Sequence, residues 1–151
     1  MLAVIQRVSE AKVEIEGKIN AQIQQGFLIL LGIHQADNEA DCQYLANKIS
    51  ALRIFSDSEG KMNLDITAVD GRIILVSQFT LHAQTKKGNR PSFIEAARPE
   101  QAIPLYHQLI ELLESKLGFP IQTGQFGADM QVSLVNDGPV TIIIDSQHPN
   151  K

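Results

Sequence analysis

Four consecutive residues, Ser77-Gln78-Phe79-Thr80, close the apolar run Ile73 to Val76 with two hydroxyls and an amide. Such groups can hold an ester, orient a water or, where a base activates one of them, supply a nucleophile. In a regular strand Ser77 and Phe79 face one way and Gln78 and Thr80 the other, so Ser77 and Thr80 converge on one ligand only where the strand ends or bulges. Hydroxyls that merely cap a strand end are the plain alternative. A second segment, Asn136-Asp137-Gly138-Pro139-Val140-Thr141, lies between the strand-forming runs Val132 to Val135 and Ile142 to Ile144. Gly offers no side chain to pack and Pro no N–H to the ladder, so the pair implies that backbone is displayed there. Read alone, it is also an Asp-Gly hairpin turn. Lys86, Lys87 and Arg90 share a Gly-containing loop just after the first segment, where they could hold a backbone phosphate or simply stand in solvent.

Other chemistries find little support. His34, His82, His107 and His148 are dispersed, with no pair at i, i+4, and one cysteine cannot build a zinc site, so no metal is expected. The chain has no Gly-rich phosphate loop, no G-x-S-x-G elbow and no C-x-x-C, and no cofactor is implied. Glu111 and Glu114 stand at i, i+3 and read as a solvated helix face rather than a catalytic pair.

The elements that must position these residues follow an α+β pattern without internal repeats or linkers. Val4, Val8, Val13 and Ile15 mark extended structure, and Glu16-Gly17-Lys18 turns it into Ile19 to Ile23 as a hairpin. Phe27 to Ile33 is a buried strand by length and composition. Asp37 or Asn38 then caps a helix whose Cys42, Leu45, Ile49 and Leu52 share one face, which puts Cys42 in the core. A second helix spans about Pro99 to Leu117, with Ala102, Tyr106, Leu109 and Leu113 at helical spacing and Gly118 as its stop; Pro104 in its first turns allows a later start. Strands near Ile73 to Phe79, Val132 to Val135 and Val140 to Ile144 complete a curved, mostly antiparallel sheet or partial barrel with the helices packed on one side.

At 151 residues the chain reads as a single domain, 1–151. The apolar run Met1 to Ile5 ends at Gln6-Arg7, short of a signal-peptide core, and Phe27 to Ile33 is far below the ~20 residues of a spanning helix. A soluble, cytoplasmic protein with no membrane partner is expected. The net charge of −4 argues against strong nonspecific binding to nucleic acid, so a basic cluster matters more than the sum.

Together the two central segments resemble the D-aminoacyl-tRNA deacylases, editing hydrolases that strip D-amino acids from tRNA. Arg53-Ile54-Phe55 followed by Gly60-Lys61-Met62-Asn63, Lys87-Gly88-Asn89-Arg90-Pro91-Ser92-Phe93, Thr123-Gly124 and Met130-Gln131-Val132 are similar to family landmarks in family order, so the resemblance covers nearly the whole chain. It implies a homodimer with two sites at the interface. The backbone amides around Gln78 and Phe79 and the Ser77 and Thr80 hydroxyls would position the ester, with its oxyanion stabilised by the protein, while the ribose 2′-hydroxyl of the tRNA assists hydrolysis, and Phe79 would stack near the terminal adenine. Thr80 as a protein nucleophile is the competing mechanism. The resemblance further implies that Gly138 and Pro139, joined by a cis bond, enter the partner's pocket and turn their carbonyls against an L side chain. Sequence alone favours a trans bond, since only about 5–6% of X–Pro bonds in folded proteins are cis. Arg7 would anchor this segment; its plain alternative is a surface Arg on an edge strand. Lys86, Lys87 and Arg90 would hold tRNA phosphate. Glycine has no side chain to reject, so glycyl-tRNA, glycine misattached to alanine tRNA included, is an implied second substrate. A related family branch that edits L-alanyl-tRNA, and a non-catalytic module that captures tRNA ends, are the alternatives.

Overall fold

The computed structural model describes residues 1–149. β1 (Leu2–Ile15) and β2 (Lys18–Ile23) form the expected hairpin, with Glu16 and Gly17 both at positive φ, 51° and 75°. That is the mirror-image turn whose twist matches the flanking strands. β3 (Gly26–Gly32) pairs antiparallel with the first half of β1, and its unbroken run Phe27-Leu28-Ile29-Leu30-Leu31 fits a strand covered on both faces.

After β3 the chain enters α1 (Glu39–Ser50). Its cap is Asn38, whose side chain accepts from Ala40 N at 2.9 Å while Asp41 Oδ2 accepts from Asn38 N at 2.8 Å. Asp37 is left to a buried network, accepting from His34 N at 2.7 Å and from the Met1 ammonium at 2.5 Å. The helix ends at Ser50, so Leu52 lies beyond it and still packs on the core. A small separate hairpin follows, β4 (Phe55–Ser56) with β5 (Met62–Leu64).

β6 (Arg72–Ser77) then lies parallel to β3, and after α2 (Pro99–Leu117) the short β7 (Gln122–Thr123) lies parallel to β6. The sheet is therefore mixed, with three antiparallel pairings, all made by β1, and two parallel ones. Parallel neighbours need a crossover, which the segments carrying the two helices provide. Pro104 does not delay α2, which starts at Pro99 and runs through it to Gly118 at φ 75°.

Alternation along β3 and β6 divides the apolar residues between two faces. Phe27, Ile29, Leu31, Ile73 and Leu75 pack under both helices, against Cys42, Leu45 and Ile49 of α1 and Leu105, Leu109 and Leu113 of α2. Leu28, Ile74 and Val76 instead join Val8, Ala11, Val13, Ala21 and Ile23 on the opposite face. The sheet curls around this second cluster until β7 meets β2, where side-chain amides replace a backbone ladder. Gln22 N donates to Gln122 Oε1, Gln122 Nε2 to Gln22 O and Asn20 Nδ2 to Thr123 O, each at 2.8 Å.

The remaining strand corrects the reading of Val132 to Val135 and Val140 to Ile144 as separate strands about a turn. β8 (Gln131–Asp145) is one strand, antiparallel to β1 along its whole length, from Leu2 opposite Asp145 to Glu14 opposite Gln131. A hairpin turn would fold its halves onto each other; here both continue along the same partner.

Candidate active site

β6 ends at Ser77, and Gln78 N donates the final ladder bond to Leu31 O at 2.7 Å. The expected strand to Phe79 stops two residues early because Phe79–His82 winds into a 3₁₀ turn. Gln78 Nε2 donates to Thr80 Oγ1 across this strand end, and Ser77, Gln78 and Phe79, without Thr80, line the cleft beside it. Of the amides at this corner, that of Gln78 is engaged by Leu31, whereas that of Phe79 has no partner among the described residues and no side-chain cap. It remains a free donor at the mouth of the cleft.

The cleft lies beyond the carboxyl ends of the parallel pair β3 and β6, where backbone amides and loops of a parallel sheet meet a ligand. Ser77, Gln78 and Phe79 form one wall, Leu31 and Ile33 the floor, Ala97 and Ala102 at the start of α2 another side, and Phe126 to Met130 the last. Of this last wall the sequence singled out only Met130, within Met130-Gln131-Val132; its residues carry little chemistry beyond Asp129, the one ionisable side chain among the described residues that line the cleft. Tyr106 braces the cleft from behind: its hydroxyl donates to Leu75 O at 2.8 Å and its ring meets Phe126 edge-on at 6.0 Å. Burial pushes this phenol up to about 12, so it stays a neutral donor.

Among the described residues no base is hydrogen-bonded to the Ser77 or Thr80 hydroxyl. His82, two residues beyond Thr80, is turned by the 3₁₀ winding against Gly32 and the His34 ring, and its buried Nε2 has no partner among the described residues. His34 Nδ1 accepts from Ala36 N, and its other nitrogen stands 3.9 Å from Glu95. Cys42 donates to Leu105 O in the core, and burial, with Asp41 and Asp37 nearby, pushes its thiol up to about 11. Among the described residues no group of His, Cys, Asp or Glu is arranged to hold a metal ion, and no helix is long and apolar enough to cross a membrane. Glu114, read with Glu111 as a solvated face, in fact accepts from Ile121 N at 2.9 Å and ties down the end of α2.

Phe79 is 57% exposed and meets Phe93 edge-on at 5.1 Å. Phe93 follows a loop closed by reciprocal bonds between Gln84 and Ser92, at 2.8 and 3.0 Å, on which Lys86, Lys87 and Arg90 are exposed. The structure thus brings the basic loop to the same rim as Phe79.

Arg7, Gly138 and Pro139 lie elsewhere. Gln6 opposes Thr141 and Val8 opposes Asn136, so four residues, Asp137 to Val140, bulge opposite the single residue Arg7. The Gly138–Pro139 bond at the bulge tip is cis. Arg7 is buried on a central strand rather than exposed on an edge; its Nε donates to Asp137 O at 2.8 Å and its Nη1 to Ile54 O at 2.6 Å. On the ladder Arg7 faces Phe27, and Phe27 faces Ile73, whereas Ser77 faces Leu31. Tip and Ser77 are thus separated by four residues, roughly 13 Å along the strands, and by three strand spacings, roughly 14 Å across the sheet. Within one chain the two segments do not form one site.

The match to known proteins extends over nearly the full length. The family profile described as D-Tyr-tRNA(Tyr) deacylase matches residues 4–145. A protein of Cytophaga hutchinsonii named D-aminoacyl-tRNA deacylase is 62% identical over 148 residues, 98% of this chain and 99% of its own. A solved structure named c-Myc DNA Unwinding Element Binding Protein superimposes with a TM-score of 0.89 at 39% identity, over 96% of this chain and 98% of that one. Another, of a "probable eukaryotic D-amino acid tRNA deacylase", shares the fold with a TM-score of 0.81 at 13% identity, over 95% and 97% of the two chains.

Proposed function

The chain belongs to the D-aminoacyl-tRNA deacylase family, a family of hydrolases, and on that premise we propose that it cleaves D-aminoacyl-tRNA to free D-amino acid and tRNA in a cleft completed by a second copy of the chain. One observation carries the reading: the displayed Gly138-Pro139 tip stands too far away to serve its own cleft, and among the described residues no base is hydrogen-bonded to the hydroxyls at Ser77 and Thr80. A second copy supplies the missing part. β8 favours such pairing, since it bonds only to β1 and leaves its other edge and the exposed Val135 and Ile143 free among the described residues.

Ser77, Gln78 and Thr80 position the ester in this reading. The Phe79 amide donates to the developing oxyanion, the Phe79 ring stacks on the terminal adenine, and the neighbouring ribose 2′-hydroxyl assists hydrolysis in place of a base bonded to Ser77 or Thr80. The partner's Gly138 and Pro139 carbonyls face the substrate α-carbon. An L side chain would press on them and strip their water without a replacement bond, whereas a D side chain points away. Glycyl-tRNA escapes this rejection and is a second substrate. The substrate places the protein's work in the cytoplasm, where aminoacyl-tRNA is made and used.

Deacylation of D-tyrosyl-tRNA and L-tyrosyl-tRNA side by side tests the reading, with release of D-tyrosine and sparing of the L ester as the expected result. Turnover of L-alanyl-tRNA in preference would place the chain in the related editing branch. Binding without turnover would make it a capture module.

The basic loop gives a separate expectation. If Lys86 and Lys87 each meet a phosphate, Lys86→Ala with Lys87→Ala weakens binding of every tRNA alike and reduces the slope of log K against log salt by about 0.7–0.9 per contact. A filter-binding titration at several salt concentrations reads this; an unchanged slope returns both lysines to solvent.

A further inference from the structure

The bulge opposite Arg7 is closed at its base by one side chain. Asn136 Oδ1 accepts from Val140 N at 2.7 Å, while its Nδ2 donates to Val140 O at 3.3 Å and to Thr141 Oγ1 at 3.1 Å. Both backbone polar groups of Val140 are thus paired with a single carboxamide, which presents the donor and acceptor that a neighbouring strand would otherwise present. Val140 is buried in the main core and Asn136 half-buried, so the neck of the bulge is fixed while Asp137, Gly138 and Pro139 stand exposed beyond it. Arg7 holds only the Asp137 side of the tip.

The residue type is specified closely. Aspartate lacks the donor for Val140 O, alanine lacks everything, and glutamine would push the amide one methylene too far for a contact spanning four residues. A hydroxyl could not pair with both groups of Val140 while also meeting Thr141.

We propose that Asn136 is the positioning residue that sets the direction of the Gly138 and Pro139 carbonyls, and so determines the enzyme's discrimination between D and L substrates. This rests on the reading of Gly138-Pro139 as the chirality filter. With the neck open the tip is held from the Arg7 side alone, its carbonyls spread over several directions, and an L side chain meets a weaker barrier.

The experiment measures kcat/KM on D-tyrosyl- and L-tyrosyl-tRNA for Asn136→Ala, Asn136→Asp and, as comparator, Gly138→Ala. Asn136→Ala should lower the D-to-L ratio at least tenfold. Asn136→Asp should fall between, because its carboxylate still accepts from Val140 N–H and can accept from the Thr141 hydroxyl. A residue that only supports the fold would depress both substrates together and leave the ratio unchanged. A ratio that moves in Gly138→Ala but in neither Asn136 variant overturns the role of Asn136 and leaves the filter standing. A ratio unmoved in all three overturns the filter and this role with it. Should Asn136→Ala lose its cooperative melt, the aspartate variant decides alone: an unchanged ratio overturns the proposal.

Discussion

Replacing the terminal ribose 2′-hydroxyl of D-tyrosyl-tRNA by hydrogen should cut deacylation by roughly 10²–10⁴-fold, the span that a well-placed acid–base group supplies. The ranking is what matters. Thr80→Ala and Ser77→Ala each remove a positioning bond worth about 1 kcal/mol, and each should slow hydrolysis by only about fivefold. This order follows from the surroundings of Thr80 Oγ1, whose hydrogen-bond partner is Gln78 Nε2, an amide that can donate but cannot take a proton. A serine or threonine nucleophile needs a base within hydrogen-bond reach, and the nearest imidazole in sequence, His82, faces the interior. Single-turnover rates on the deoxy and native substrates, with wild type and both variants, settle the order. An active deoxy substrate together with a dead Thr80→Ala enzyme would establish Thr80 as the nucleophile.

What was legible in the sequence is local chemistry, and what was hidden depends on which strand lies beside which. Two hydroxyls and an amide after Val76 announce a strand end, and the structure ends β6 at Ser77. The winding that follows could not be read, because the fate of His82 depends on Gly32 of a strand that is distant in sequence. Gly138-Pro139 reads equally as turn or display until Arg7 is known to stand opposite it; the register of β1 against β8 decides, not the dipeptide. The same strand shows why apolar periodicity misleads here. Ala3 and Ile5 face the helices, yet Ala11 and Val13 share the face of Val8, since the ladder slips between Val8 and Glu10 and reverses the alternation. The wall from Phe126 to Asp129 gave no signal, being a loop whose Phe126 packs on Tyr106, a residue distant in sequence; only Met130 at its end fell within a landmark segment. The net charge of −4 says little about the basic rim, which was legible only as the local cluster Lys86, Lys87 and Arg90, because three cations on one loop scarcely alter a sum over the whole chain.

The separation of tip from cleft leads to the most demanding expectation, that two inactive variants restore each other. Gly138 has φ 143°, and a Cβ there would stand 2.7 Å from Val140 Cγ2 and 3.0 Å from Arg7 Nη2, so Gly138→Ala must displace the tip. Carried into the partner's cleft, the displaced tip and its added methyl crowd the D substrate out of line, and misplacement of the reacting ester by about 1 Å costs on the order of a hundredfold in rate. Ala128→Trp instead leaves the tip intact and fills the cleft that Ala128 lines. Each homodimer then has two defective sites, one kind lacking a sound tip and the other an open cleft. In the mixed dimer, the open cleft of the Gly138→Ala chain receives the sound tip of the Ala128→Trp chain, and the reciprocal site carries both defects. One working site of two gives about half of wild-type activity per dimer, as a two-fold assembly with shared sites requires. Co-expression with different affinity tags and sequential purification isolates that species, and light scattering and thermal melts confirm that it is a folded dimer. If each tip served its own chain, no combination of these variants could assemble a sound site, and the mixed dimer would be as inactive as its parents. A monodisperse active monomer would overturn the shared cleft by a different route, since no partner would then be present to lend Gly138 and Pro139.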